Sequence, residues 1–323
     1  MEIPLHGSRI HKLRVLAAFL CVCIIWGTTF IAIRFAIDSI PPFLMAGTRF
    51  SIAGLLLYLW ERLRGAPSPR RLHWLLAGIL GTLLLVFGNL GVVLAEKTIP
   101  TGLVSLLVTM TPVYVVLVNW LRPSGTRPSA RIFLGLLMGI AGMIALVGPT
   151  KLLGGQSIDL LGVVCVSVGC FGFATGTVFS RIMKLPHAQL STAMQMLTAG
   201  AILLVVSMAL GEPAHFQLQD LTWKAILSVA YLIVFGSLIA YSAYVWLLRH
   251  VSPARVSTYT YVNPIVAVFL GWAMGGESLS IHTMIAASII LFAVWLVTGA
   301  KQNPVQEIVV AKAPKGELEL SAR

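Results

Sequence analysis

Charge is scarce in this chain: 11% of its 323 residues are Asp, Glu, Lys or Arg, against roughly 25% in a soluble globular domain. So low a share leaves little with which to clothe a separate water-exposed domain. Acids are the rarer sign, 11 against 23 bases, and none lies deep in an apolar stretch, so a strongly cationic substrate would find no counter-charge there. Cysteine is limited to Cys21, Cys23, Cys165 and Cys170, whose spacings of two and five residues are not those of a metal site. They read as small packing residues. Neither H-E-x-x-H nor G-x-S-x-G occurs, and the seven histidines fall near the ends of apolar stretches or between them. An intramembrane enzyme would need a nucleophile–base pair or metal ligands that this pattern does not supply. No cofactor is expected.

What is abundant is apolar: 58% of residues are hydrophobic and the mean hydropathy is +0.91. They fall into ten stretches close to the roughly 20 residues that span a bilayer, at 15–37, 43–61, 74–95, 100–121, 131–148, 160–181, 191–210, 223–248, 254–273 and 282–299. The first is too long for a signal-peptide core, and Arg34 follows it without a small-residue cleavage pattern. The predicted fold is an all-α integral membrane protein with ten transmembrane helices in two inverted five-helix repeats. Residues 1–14 form a cytoplasmic segment, 15–148 the first repeat, 160–299 the second, and 300–323 a charged, proline-containing cytoplasmic tail expected to be disordered.

The repeats rest on a fixed offset of 152 residues. At that distance Val104 meets Val256, Ser105 meets Ser257, Pro112 meets Pro264 and Trp120 meets Trp272. Copies with an odd number of spans enter the membrane from opposite sides, a construction associated with secondary transporters. Charge agrees. With the amino terminus inside, 18 of the 23 Lys and Arg residues fall on predicted cytoplasmic segments. The other side holds Arg34, Lys97, Lys151 and Lys224, and Arg49 falls within a span. This distribution accounts for the net charge of +12 without nucleic acid. The related connections at 121–128 and 275–280 differ as inversion requires, the first basic and the second without Lys or Arg.

Several residues are candidates for a transport site. Arg49 is a charge inside a span, costing roughly 2.5–3.5 kcal/mol at a helix centre. It reads as a cavity cation for a substrate carboxylate or an internal partner, against an arginine that snorkels or is locked to backbone carbonyls. Glu96, seven residues after Asn89, can share its face, and exchanges protons with substrate, pairs with Arg49, or is an ordinary interfacial acid beside Lys97. Trp26 and Thr28 lie midway along the first span, with Thr175 the counterpart of Thr28 at an offset of 147. Pro112 and Pro264 interrupt equivalent spans, and paired interruptions point to a midplane site. Tyr259 and Asn263 are one helical turn apart; Tyr241 and Tyr244 form an aromatic stripe that serves either packing or binding. Glycine pairs such as Gly172/Gly176 have the spacing of close helix contacts.

These features together resemble the EamA family of the drug/metabolite transporter superfamily, over about Val15 to Gly299. The motifs are Trp26-Gly27-Thr28, Thr48-Arg49-Phe50, and Asn263-Pro264 followed by Gly276-Glu277. Ile24-Ile25-Trp26-Gly27, Pro41-Pro42, Ala95-Glu96 and Tyr261-Val262-Asn263-Pro264 are similar to the YedA-type inner-membrane transporters within it. The resemblance implies ten helices, a central cavity between the repeats, and export of small metabolites such as amino acids. The first copy departs from it, with Ser124-Gly125 where Glu277 would map, which disfavours Glu277 as a shared mechanistic acid. The expected protein is a multi-pass inner-membrane carrier with both termini cytoplasmic. Its expected partners are lipid, a small metabolite and, as candidate coupling ion, the proton. An uncoupled facilitator or channel stays open as the alternative, and oligomeric state is not legible.

Overall fold

In hydrocarbon no water satisfies backbone N–H and C=O groups, so apolar stretches of this length close their hydrogen bonds internally as helices. A computed structural model of the chain describes residues 9–122, 130–142 other than 132 and 136, 159–276 and 281–298, and contains no strand among them. The amino-terminal half comprises α1 (Arg9–Ile37), α2 (Pro42–Leu63), α3 (Arg71–Gly81), α4 (Gly88–Ala95), α5 (Thr101–Val108), α6 (Thr111–Leu121) and α7 (Phe133–Gly142). The carboxy-terminal half comprises α8 (Leu160–Phe179), α9 (Ala188–Ala209), α10 (Glu212–His215), α11 (Trp223–Tyr231), α12 (Ser242–His250), α13 (Pro253–Val256), α14 (Asn263–Gly275) and α15 (Ile281–Thr298). π-Helical turns at Thr82–Phe87 and Leu232–Tyr241 join α3 to α4 and α11 to α12 into single long helices.

Seven helical segments among the described residues are long and apolar enough to cross a membrane, one of them, Thr101–Leu121, broken between α5 and α6. They coincide with the first four predicted spans and the sixth to eighth. The ninth is a broken helix, α13 and α14 with a 3-10 stretch between them, and the tenth is α15. The fifth is described only as far as Gly142. The predicted tail at 300–323 and the loops carrying Ser124 and Glu277 lie outside the described residues.

Helices in lipid gain little from the hydrophobic effect and associate by close packing of small residues. That rule sets the contacts. Along the α2–α9 pair, a Cβ added to Gly54 would stand 2.7 Å from the Leu197 nitrogen, and one on Gly200 would stand 2.6 Å from the Ser51 nitrogen. Where α4 crosses α8, Gly169 faces Gly91, and a Cβ on Gly169 would lie 2.8 Å from the Phe87 carbonyl oxygen. Gly172 and Gly176 press equally close to Phe87 and Leu84, both in the first π turn. Thr98 and Asp159 tie the start of α8 to the end of α4: Thr98 Oγ1 donates to Asp159 Oδ2 at 2.8 Å. That bond, with the Leu161 and Gly162 N–H groups, holds the Asp159 carboxyl below the usual carboxylate range.

α2 and α9 run antiparallel, and each end of the pair is closed by an acid. α2 begins Pro41-Pro42, which offers no side-chain cap. Glu212 instead accepts hydrogen bonds from the Phe43 nitrogen at 3.2 Å, the Leu44 nitrogen at 2.8 Å and Ser207 Oγ at 2.8 Å. At the opposite end, buried Glu61 from α2 meets Nε2 of His187, the residue preceding α9, at 2.6 Å. Replacing Glu212 with Ala should therefore lower stability by about 1 kcal/mol, the usual value of a helix cap. Thermal unfolding of the purified protein in detergent would show this as a lower midpoint, with Glu212→Gln intermediate because its amide oxygen still accepts.

Candidate functional site

The two π turns and the two broken helices converge. A π turn widens the helix by one residue and recurs at functional sites. The second presents Gly236, Ser237 and Tyr241 inward, and the first ends immediately before Gly88 and Asn89. The breaks lie at Thr109-Met110 and at Val262, and Thr111 and Asn263, 152 residues apart, begin the helices that follow. Pro112 and Pro264 sit in those first turns, where a missing N–H costs nothing and a preceding helical turn is disfavoured. Both helix starts, with their partial positive charge, border one cavity of about 100 Å³.

Arg49 is the cation on that cavity, with only 4% of its surface exposed. Its Nε donates to Ser237 Oγ at 2.9 Å and its Nη1 to Asn89 Oδ1 at 3.3 Å. The guanidinium carbon lies 4.7 Å from the centre of the Phe50 ring, a cation–π distance. Nη2 stands against Gly236, where an added Cβ would be 3.1 Å away. Among the described residues no carboxylate comes within 4.0 Å of it.

Trp26 shares Gly236 with Arg49, donating from Nε1 to the glycine carbonyl at 3.2 Å. Its ring centre lies 4.9 Å from that of Tyr259, 5.0 Å from Tyr244 and 6.1 Å from Phe173. The tyrosine hydroxyls behind this wall are occupied: Tyr241 donates to Gln195 Oε1 at 2.6 Å, and Tyr244 meets Thr177 Oγ1 at 2.6 Å. The cavity therefore has a cationic, hydrogen-bonding end and an aromatic end. Two of its polar atoms, Asn89 Nδ2 and Asn263 Oδ1, are buried without a hydrogen-bond partner among the described residues.

Of the residues singled out from the sequence, Trp26, Arg49, Asn89, Tyr259 and Asn263 line this cavity together. Thr28, Thr175 and Glu96 do not. Thr28 donates to the Ile25 carbonyl at 2.7 Å and touches the Tyr231 hydroxyl. Thr175 back-bonds to Phe171 within α8 at 2.8 Å. Glu96 is fully buried at the end of α4, and its backbone carbonyl accepts a hydrogen bond from Arg34 Nη1. Sequence reasoning missed Gly236, Ser237 and Thr111. Neither Gly nor Ser stands out in an apolar run, although the repeat offset applied to Asn89 lands on cavity-lining Tyr241.

Comparison with known proteins gives the family. The model of the EamA-like transporter family matches the chain twice, at residues 13–148 and 160–299. The chain is 38% identical to "Uncharacterized inner membrane transporter YedA" of Escherichia coli K12, over 90% of this chain and 92% of that one. It is 28% identical to "WAT1-related protein At3g02690, chloroplastic" of Arabidopsis thaliana, over 86% and 68%. With the Bacillus subtilis "Uncharacterized transporter YoaV" the identity is 23%, over 88% and 97%. A solved structure titled "Crystal structure of protein" shares the fold, with a TM-score of 0.61 at 22% identity over 88% of this chain and 96% of that one. The chain belongs to the EamA-like transporter family, and is a multi-pass membrane protein.

The Arg49–Ser237 contact can be isolated. Ser237→Ala leaves a buried guanidinium N–H without its acceptor and should cost about 1.5–3 kcal/mol, the range for hydrogen bonds to charged groups. Combining it with Arg49→Leu should cost less than the sum of the two single changes, because the contact is lost only once. Denaturant titration of all three variants in detergent measures that difference.

Proposed function

We propose that this protein is a secondary transporter that exports small metabolites, amino acids or related compounds, across the inner membrane by alternating access. The observation that carries the reading is the pairing of broken helices at Thr111 and Asn263, 152 residues apart, on one cavity with a buried cation. Two further features support an inverted pair of five-helix repeats. The π turns at Thr82–Phe87 and Leu232–Tyr241 fall in the third helix of each half. The α2–α9 pair, second helix of each half, is closed at its two ends by Glu212 at the start of α10 and Glu61 on α2. In this reading the halves rock about the cavity. Trp26, Arg49, Asn89, Tyr259 and Asn263 hold substrate, and Pro112 and Pro264 maintain the breaks. Thr28, Thr175 and Glu96 act from outside the wall, with Glu96 the candidate for carrying a coupling proton. One observation favours an uncoupled facilitator instead: among the described residues no Asp or Glu lines the cavity.

Inversion places the loop after α2 inside and the loop after α9 outside, with both termini cytoplasmic. In a variant with the four native cysteines replaced, an impermeant thiol reagent applied to intact cells should label a cysteine at Ala214 and spare one at Ser68. Labelling of both, or the reverse pattern, would sink the inverted arrangement.

Transport itself separates carrier from facilitator. Proteoliposomes should accumulate substrate above the external concentration when a proton gradient is imposed, and Arg49→Gln should slow uptake at least tenfold, roughly 1.4 kcal/mol. Glu96→Gln should flatten the pH dependence of the rate. Equilibration without accumulation, and an unchanged pH profile in Glu96→Gln, identify a facilitator.

A further inference from the structure

We infer that the cavity selects a small monocarboxylate with an apolar body and no amino group, bound with its carboxylate on Arg49 and Asn89. This rests on the transporter reading above and narrows its substrates, away from amino acids and toward related carboxylates that lack the amino group. The argument begins with charge. Arg49 is buried, lines the cavity, and has no carboxylate within 4.0 Å among the described residues. A desolvated cation without a counter-ion is costly, and the neutral partners Ser237 and Asn89 satisfy only part of its fork of donors. Next to it the Asn89 Nδ2 donor is also unmade. A carboxylate oxygen completes both, and the charge-assisted geometry is the one a guanidinium favours.

The same surroundings reject an ammonium. No acid among the described residues lines the cavity, so an amino group would enter beside a like charge and face neutral acceptors such as Asn263 Oδ1. Aromatic faces attract cations, but that return is smaller than the cost of stripping water from an ammonium. A zwitterion therefore gains at its carboxylate and loses at its nitrogen, and an amine only loses. The aromatic wall, Trp26, Phe173 and Tyr259, suits a hydrocarbon body, since its indole N–H is already spent on Gly236. A volume of about 100 Å³ suits a body of a few carbons.

Three probes with one branched hydrocarbon body test this: 4-methylpentanoate, leucine and 3-methylbutylamine, an anion, a zwitterion and a cation at pH 7. Each is titrated into the purified full-length protein in detergent, with binding read by calorimetry and by the rise in unfolding temperature. The acid should bind, leucine should bind at least about tenfold more weakly, and the amine should not saturate. Arg49→Gln should weaken the acid about tenfold or more, and Arg49→Lys should weaken it less because charge is kept without the fork. The wild-type unfolding midpoint, retained in Arg49→Lys, separates lost binding from lost folding. Leucine binding as tightly as the acid, acid binding unchanged in Arg49→Gln, or saturation by none of the three overturns the inference. Acid that binds through Arg49 yet never crosses proteoliposomes leaves this assignment standing and overturns the carrier reading.

Discussion

One buried guanidinium organises this protein. Arg49 sits where charge is expensive, and its hydrogen bonds reach from α2 to both long third helices, to Ser237 in one and Asn89 in the other. A side chain at that depth can be kept only if the backbone comes to meet it. The two π turns are how it does so: each adds a residue to a helical turn, carrying Gly236 and Ser237 to one side of Arg49 and ending just before Asn89 on the other. Gly236 serves twice, its missing side chain admitting Nη2 while its carbonyl receives the Trp26 indole. Cation, π turn and aromatic wall are therefore one unit.

Around that unit the bundle is drawn together by absent side chains rather than by apolar surface. Glycines at the α2–α9 and α4–α8 crossings bring backbones close enough for direct contact, which in lipid is the main source of helix association. The broken helices are the complement. Where α5 gives way to α6 and α13 to α14, helix starts open onto the cavity instead of onto lipid, where unsatisfied backbone would be prohibitive. Close packing on the outside and irregular backbone on the inside are two responses to a solvent without hydrogen bonds.

Much of this was legible in the chain. Periodicity had little to do with it, because helices apolar all round carry no face signal; length and polarity did the work, which is why the seven long apolar spans fall where expected. The rarity of polar residues in those spans also made Arg49, Asn89 and Asn263 visible, and the structure brings them to one cavity. Thr28 and Thr175 looked equally plausible, but a hydroxyl can return its proton to a carbonyl three or four residues back, and a sequence does not show that it has done so. Glu96 shares a helix with Asn89 yet stands away from the cavity, because two helical turns separate them along the axis even where the face is shared.

The sequence by itself determined that the chain is helical and membrane-spanning, because run length and charge answer to the bilayer one segment at a time. It also determined that two positions 152 residues apart, at Pro112 and Pro264, would break their helices, because proline acts on its own backbone. Only the tertiary structure decided which polar atoms face one another. Ser237 and Gly236 are unremarkable in their own helix and acquire their roles only because a π turn rotates them toward an arginine nearly 190 residues earlier. That choice depends on helix rotation and close approach, which are set by packing between segments and by no property of either segment alone.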